Sequence, residues 1–577
     1  MSRPLGKANE IQWREWSNET FDEAKTSKKL VLLDLSAGWC HWCHVMDQTS
    51  YSDPGIIEII NKDFIPVRVD IDERPDISER YNRGGFPTTA FLSDRGESVW
   101  GGTYIPPQDM KRIMKAVLAA KESGDIDQAL ERDRIQYLDL SKSLQKLPPM
   151  SSAIIDTVFE DIFATYDVQN GGFGIEPKFP QPDVIDLLLE RYLETEDKEL
   201  AAAIEHTLSS MTEGLYDKVE GGLFRYSVTR DWKTPHYEKM LEGNAGFLRN
   251  LVRAYFAFRK DKYAETASGI ATYMIGTLQD PDSGGFFGSQ DADEDYYRLS
   301  CPQRRRVKRP DVTKTIYAGW NSEAASAIME AGVLLRDGSW VDAGKKAFRY
   351  SLDRLWNDSL GLVRHAREKE LYLFEDQVSF LQSLTAMIEL STSRDLTRIG
   401  DKLIEAVDRE FKDSEGGYID VVKEENAIGE LVTGRRSLIT NSKWAKILAL
   451  YGAATHRLEL TEKAKAVMCV FTQKDVYAHG VFASSYVAAW WTLDQGAIAV
   501  EVHGLAGQDP LTVPMWLAAK EALNPRAVVL PSEDKDRTLG SADLPFAVIC
   551  NAHRCSKRVT DPQELKAALR GQGPSQF

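Results

Sequence analysis

The spacing of hydrophobic positions changes several times along the chain, and each change predicts a different kind of element. Trp13, Trp16, Phe21 and Ala24 fall at helical spacing within residues 10–25. A continuous apolar run follows at Val31, Leu32, Leu33 and Leu35, as expected of a buried strand, and helix-like sequence comes after it. Ile56–Asn61 reads as a helix and Phe64–Val69 as a second strand ending at Asp70. Gly84-Gly85 then makes a turn into Phe86-Pro87-Thr88-Thr89-Ala90-Phe91-Leu92, a third strand with a proline at its start. Gln108–Ala120 supplies a closing helix. From about Lys121 to Met150 the sequence is polar and helical and ends in Leu147-Pro148-Pro149, which predicts a connector.

From Ser151 the period is helical for more than three hundred residues, with a repeat inside it. Asp-rich turns with small residues recur as Asp167…Gly171-Gly172-Phe173, Asp217…Gly221-Gly222-Leu223-Phe224 and Asp282…Gly284-Gly285-Phe286. They continue as Asp358…Leu360-Gly361-Leu362, Asp413…Gly416-Gly417-Tyr418 and a degenerate His479-Gly480-Val481-Phe482. Between them lie helical pairs at 182–195 with 198–215, 241–260 with 262–278, and 319–335 with 339–356. The pairs 374–393 with 395–412 and 437–457 with 459–475 follow, with single helices at 151–166 and 483–493. Twelve helices and six turns predict a closed (α/α)6 toroid of six helical hairpins, its glycine turns at one end. An open solenoid of hairpins is the alternative. Beyond it Ala497–Val502, Pro514–Leu523, Ala527–Leu530, Phe546–Cys550 and Pro562–Leu569 alternate strand and helix. The expected organisation is therefore multidomain, α/β plus all-α. It comprises an α/β domain over 1–122, a helical connector over 123–150, the toroid over 151–495 and a small α/β unit over 496–577.

Composition narrows the functions. The 577 residues carry a formal charge of −16, which argues against nucleic acid and anionic membranes as general partners. No run is long and apolar enough to span a bilayer. The first residues, MSRPLGKANEIQW, lack an apolar signal core, so a cytoplasmic location is expected, with an organelle such as the mitochondrion as the alternative. Six cysteines in such a length do not make a disulfide scaffold and fit a reducing compartment.

That raises the interest of Trp39-Cys40-His41-Trp42-Cys43-His44, placed where the first strand passes into a helix. A thiol at a helix N-terminus faces unpaired amides and the positive end of the helix dipole, so its thiolate is favoured. Strand, CxxC, helix, strand, turn, Pro and strand in that order predict a thioredoxin-like fold. Cys40, expected to be exposed, would attack a disulfide and Cys43 would resolve it. Asp34, six residues before Cys40 on the strand, could relay protons with a pKa raised by burial; a hydrogen-bonded strand-end Asp is the plainer reading. Pro87, expected in cis, and Thr88 would form the platform for the partner disulfide. His41 and His44 would tune the thiol. Cys-x-x-Cys-His also satisfies the c-type haem pattern, which goes with export. Zinc would need a fourfold set such as His41, His44, Cys550 and Cys555. The dithiol reading requires neither metal nor cofactor.

A second cluster lies in the helical region. It holds Arg225, Tyr226, Trp232, His236, Glu238 and Lys239, with Asp291 and Asp293 directly after a glycine turn. Lys178 and Phe179, Trp320 and Asn321, and Glu375 and Asp376 would join the same mouth. An aromatic ring with paired carboxylates and a His suits a sugar or general acid–base chemistry, with His236, Glu238, Asp291 and Asp293 as the acid–base set. Helix caps and turn formers are the plainer reading of any single Asp. The basic run Arg304-Arg305-Arg306-Val307-Lys308-Arg309 reads as a solvated loop, or less simply as a docking patch.

Together these segments resemble the spermatogenesis-associated protein 20 family, which joins a thioredoxin-like domain to an N-acylglucosamine 2-epimerase-like toroid. The resemblance rests on CHWCHVM (40–46), DIDERPDI (70–77), GGFPTTAFL (84–92), GGTYIPP (101–107), GGFG with PKFP (171–180), PHYEKML (235–241), SQDAD (289–293) and Gly319-Trp320-Asn321, and covers nearly the whole chain. The segment from Asp293 to Arg309-Pro310 is much shorter than in the family, Glu242-Gly243-Asn244-Ala245 replaces an Asp-Asn-Ala pattern, and the lead-in is reduced to Glu10-Ile11-Gln12-Trp13. Leu438-Ile439-Thr440-Asn441-Ser442 replaces a Pro-Ser-Gly-Asn-Ser type stretch. The resemblance implies a redox protein acting on a protein or small-molecule disulfide, with a carbohydrate ligand in the toroid. A carbohydrate epimerase or hydrolase with a regulatory thioredoxin domain, and a non-enzymatic scaffold, are the alternatives.

Overall fold

A computed structural model of the chain describes residues 5–132, 152–391, 394–505, 509–532, 545–551 and 554–571. Most of the connector expected over 123–150 lies outside them. Packing divides the chain into two compact units. One holds Met1–Leu147, Asp291–Asp293 and Lys423–Arg435; the other holds Pro148–Gln290, Glu294–Val422 and Arg436–Phe577.

The first unit is a four-stranded sheet with helices around it. In order come α1 (Asn18–Ser27), β1 (Leu30–Ser36), α2 (His41–Gln48), α3 (Pro54–Asp63), β2 (Phe64–Asp70), α4 (Pro75–Tyr81), β3 (Thr88–Leu92), β4 (Ser98–Gly102) and α5 (Pro107–Glu122). Strand order is β2-β1-β3-β4, with β1 parallel to β2 and antiparallel to β3. This is the thioredoxin-like arrangement. β1 is buried along its whole length, as its unbroken apolar run requires. Register places Asp34 of β1 beside Arg68 of β2 and Thr89 of β3. Ile126 and Leu130, beyond α5, are buried in the same core. Lys423–Arg435 belongs to this unit through α4: Arg80 donates to the carbonyls of Glu430 and Thr433 at 2.9 Å each, and the Glu430 amide donates to the Tyr81 hydroxyl at 3.0 Å.

The second unit is built on twelve helices in two concentric rings. The inner ring is α7 (Pro182–Thr195), α9 (Leu241–Phe258), α11 (Ala318–Leu334), α13 (Phe374–Glu389), α15 (Leu438–Thr455) and α17 (Ser484–Gln495). The outer ring is α6 (Ser152–Thr165), α8 (Lys198–Leu215), α10 (Asp261–Tyr273), α12 (Gly338–Tyr350), α14 (Arg394–Glu410) and α16 (Glu459–Met468). Each inner helix packs on the next, and α17 packs on α7, so the ring closes and the open solenoid is excluded. Small residues allow the close approach. A Cβ at Gly344 of α12 would lie 2.5 Å from Met329 Cγ of α11.

Five of the predicted glycine turns lead from an outer helix toward the next inner one, but their anchors differ from two of the expected residues. The backbone pairs that close the third and fourth turns involve Asp280 and Asn357, not Asp282 and Asp358. Side-chain amides on the inner helices then clip the turns in place. Asn244 Oδ1 accepts from the Leu223 amide at 2.7 Å, and Asn321, Gln377 and Asn441 accept from Phe286, Val363 and Tyr418 at 2.8 Å each. Gly222 shows why glycine recurs: its φ is +81°, and a Cβ there would meet the Tyr273 ring at 2.5 Å.

The C-terminal segment forms β5 (Ile498–His503), α18 (Pro514–Glu521), β6 (Ala527–Ser532), β7 (Phe546–Cys550) and α19 (Pro562–Leu569), in strand order β6-β5-β7. It packs on the C-terminal ends of the inner helices. Glu389 at the end of α13 accepts from the Val529 amide at 2.8 Å and from Lys520 at 2.9 Å.

Candidate functional site

In the first unit β1 runs out at Ser36, and Cys40 caps α2. Cys40 and Cys43 are joined as a disulfide, and the Cys43 amide donates to Cys40 Sγ at 3.2 Å. The turn before them is fixed on both sides. Trp39 donates its indole N–H to Asp72 at 2.6 Å, and His44 Nε2 lies 2.9 Å from the Gly38 carbonyl. Cys40 is 4% exposed, which corrects the expectation of an exposed thiol, whereas Trp42 beside it is 45% exposed. The Phe86–Pro87 bond is cis. Thr88 donates its hydroxyl to the Gly85 carbonyl at 2.7 Å, tightening the turn that presents Pro87.

On β1, which leads to the dithiol, Asp34 is buried, and Arg68 Nε lies 2.7 Å from its carboxylate. The same guanidinium also grips both oxygens of Asp47 on α2. Trp13 and Tyr51 pack over it, with the Trp13 ring centroid 4.5 Å away. One cation cannot neutralise two carboxylates. Burial therefore pushes the Asp34 pKa up to about 6, with Arg68 opposing and Asp47 reinforcing the shift. Arg68, Asp47 and Tyr51 were not singled out from the sequence. The signal was an arginine inside the apolar strand FIPVRVD, where a charge needs a buried partner.

In the second unit several of the expected residues do come together. His236 Nδ1 lies 2.5 Å from Glu238, and the His236 ring stacks on Tyr226 at 4.7 Å, which stacks on Phe179 at 4.4 Å. Arg225 lies over Tyr226 at 5.7 Å. Other expected ligand residues hold the scaffold. Lys178 is buried and paired with Asp167 at 2.7 Å; Trp232 donates to the Asn170 carbonyl at 3.1 Å. Lys239 is buried and paired with Asp217 at 2.8 Å, and Asn321 is one of the turn clips. Asp376 accepts from the Gly319 amide at 2.8 Å and lies 2.9 Å from His365 Nδ1, giving a second His–carboxylate pair that the sequence reading missed. Trp320 sits edge-on to Tyr317, which stacks on His365, and Glu375 is exposed on the first turn of α13. Asp291 and Asp293, expected beside His236 and Glu238, fall in the other compact unit.

The bore of the toroid holds a cavity of about 530 Å³ lined by polar stripes of the inner helices. Asp183, Asp186 and Glu190 of α7 fall at i, i+3 and i+7, Arg249 and Arg253 of α9 at i and i+4, and Lys443 and Lys446 of α15 at i and i+3. That spacing was the overlooked signal. Arg249 pairs with Asp186 at 2.7 Å, Lys443 with Asp183 at 2.9 Å and Lys446 with Glu190 at 2.7 Å. Burial works against the Asp183 carboxylate, but Lys443 and Arg249 outweigh it and hold its pKa at about 2. Glu242 faces the same cavity, and burial, then Glu323, raise its pKa. Among the described residues no group of three or more His, Cys, Asp or Glu side chains is placed to hold a metal. Cys550 and Cys555 form a second disulfide.

Residues 5–146 match the family model Thioredox_DsbH, described as a protein of unknown function, DUF255. Thioredoxin H2 of Arabidopsis thaliana is 33% identical over 100 residues, covering 17% of this chain and 67% of that relative. Through its first unit, the chain belongs to the thioredoxin family. It is also a homologue of spermatogenesis-associated protein 20. The Homo sapiens protein of that name is 31% identical over 319 residues, covering 51% of this chain and 40% of the relative. The aligned part is thus about half of this thioredoxin-family chain, less than the motifs implied, and two fifths of the relative's length. Two solved structures, of a D-mannose isomerase and of a sugar epimerase from a ruminal bacterium, are similar at TM-scores of 0.48 and 0.46 with 11% and 12% identity. They cover 60% and 55% of this chain and 97% and 84% of theirs.

Proposed function

We propose that the protein is a thiol–disulfide oxidoreductase of the thioredoxin type. The observation that carries the reading is Cys40 at the N-terminus of α2, bonded to Cys43. In the reduced protein the Cys40 thiolate attacks one sulfur of a substrate disulfide; that S–S bond breaks, one thiolate leaves, and a mixed disulfide forms. Cys43, deprotonated, then attacks Cys40, releasing the second substrate thiol and closing the Cys40–Cys43 bond. The substrate gains two electrons and the protein dithiol loses them; a dithiol reductant supplied from outside resets it. Asp34, with a pKa near 6, is assigned as the acceptor of the Cys43 proton. With Cys40 at 4% exposure, a substrate disulfide reaches its sulfur only after a local movement. The test is reduction of a protein disulfide such as insulin by the full chain with dithiothreitol as reductant. Turnover is expected in wild type and absent in Cys40→Ser. Wild-type turnover no faster than dithiothreitol alone rejects the reading.

A second reading is favoured by the His236–Glu238 pair and the charged bore. The toroid holds a polar, polyhydroxylated ligand such as a sugar, with the dithiol unit regulatory. A sugar panel titrated against the full chain tests it. Binding weakened by His236→Ala supports this reading, and no binding to any sugar rejects it.

A further inference from the structure

The basic run at 304–309 is not simply a solvated loop. Arg304, Arg305 and Arg309 line a cavity of about 220 Å³ in the second unit, with Gln290 and Tyr273 among its walls. Arg304 is buried and pairs with Asp217 at 2.6 Å and Glu220 at 3.2 Å. Glu220 also serves Arg309 at 3.3 Å and accepts from the Tyr296 hydroxyl at 2.8 Å. Asp217 is shared with Lys239. The guanidinium of Arg305 has no hydrogen-bond or ion-pair partner among the described residues. Four cations, Lys239, Arg304, Arg305 and Arg309, thus face two carboxylates, Asp217 and Glu220.

From this surplus we infer that the cavity is a binding site for a small oxyanion, a phosphoryl or carboxylate group, held by Arg305 and Arg309. Guanidinium groups grip such anions through paired charge-assisted hydrogen bonds. The volume corresponds to about seven waters at the liquid's share of space, below the roughly 300 Å³ at which whole-ligand pockets begin. The site therefore takes a free anion or the charged end of a larger molecule. Gln290 is fixed as part of its wall, its amide donating to the Pro310 carbonyl and accepting from Tyr273, both at 3.2 Å. Lys239 is consistent with the excess charge: burial, with a contribution from Arg304, lowers its pKa to about 8.

Cys301 is exposed at the rim and provides a reporter. The full chain is titrated calorimetrically with inorganic phosphate and with citrate against chloride at equal ionic strength. The rate of Cys301 alkylation by iodoacetamide is followed in parallel by peptide mass spectrometry. Saturable millimolar or tighter binding is expected, with severalfold protection of Cys301. Arg305→Ala should weaken both about tenfold. Binding of phosphate alone assigns a phosphoryl group, and of citrate alone a carboxylate. Arg305 and Arg309 are exposed, so the Arg305→Ala/Arg309→Ala variant should keep the wild-type melting temperature; Arg305→Gln and Arg309→Gln serve if it does not. The inference is overturned if neither anion binds better than chloride, if binding leaves Cys301 unprotected, or if the folded variants bind as wild type does.

Discussion

Each unit contains a buried charge cluster with an odd member, and the two are mirror images. In the first unit one cation, Arg68, serves two carboxylates, Asp34 and Asp47. In the second unit one carboxylate, Asp217, is shared by two buried cations, Lys239 and Arg304, and the half-buried Glu220 reaches only Arg304 of the two. In each case burial moves the surplus group toward its neutral form, Asp34 up to about 6 and Lys239 down to about 8. The lesson is that a buried cluster with unequal charges makes one member titrate near neutrality. In the first unit that member sits on the strand leading to the dithiol. In the second it sits beside a cavity that can take the missing anion.

The comparison breaks most sharply if the shared ion is removed. Arg68→Met leaves two buried carboxylates without a cation and should destabilise by about 3–5 kcal/mol in urea unfolding followed by tryptophan fluorescence. Asp217→Asn keeps the shape but strands Lys239 and Arg304. Its expected loss is about 3 kcal/mol, smaller because Glu220 still faces Arg304. A loss under about 1 kcal/mol in either variant would mean that the cluster is not held by charge.

The surplus members should leave opposite traces in the pH dependence. The Asp34 pKa is raised on folding, so its contribution is present below pH 4 and is lost as pH rises through about 6. Asp34→Asn should therefore gain about 2–3 kcal/mol relative to wild type between pH 4 and pH 7. It should also remove the inflection near pH 6 from the disulfide-reduction rate. The Lys239 pKa is depressed, so stability rises with pH through about 8 toward the ordinary lysine value. Lys239→Gln should flatten that alkaline rise, an effect of roughly 1–2 kcal/mol once the lost pair with Asp217 is allowed for. Parallel pH profiles for variant and wild type would refute either assignment.

Much of the fold was legible because backbone demands appear directly in composition. The run Val31–Leu35, the cysteines at a strand-to-helix junction and the proline opening the third strand each constrain the chain locally. So do the paired glycines, whose turn positions require left-handed backbone or the absence of a Cβ. Side-chain partnerships were not legible. Nothing local distinguishes Asn321 as a turn clip from Asn321 as a ligand residue, since its partner Phe286 lies thirty-five positions earlier. Asp280 and Asp282 are equally good turn formers, and only the hydrogen bonds choose between them. The bore could have been found, because charged residues at helical spacing inside apolar helices have to face a hydrated interior. Asp291 and Asp293 group with the first unit, whereas His236 groups with the second, because adjacency to a glycine turn does not determine the unit in which the loop packs.

The amide clips also bear on how the ring is assembled. Each joins a turn that ends one outer helix to a residue on the following inner helix, so no hairpin can complete its hydrogen bonds until its successor has formed. On a growing chain this makes folding directional, each repeat templating the one behind it. The packing of α17 on α7 joins segments some three hundred residues apart and must come last. Until then the charged faces of α7 and α15 stay open to water, which favours a soluble open arc over an aggregating one. The bore comes into being only with the last helix.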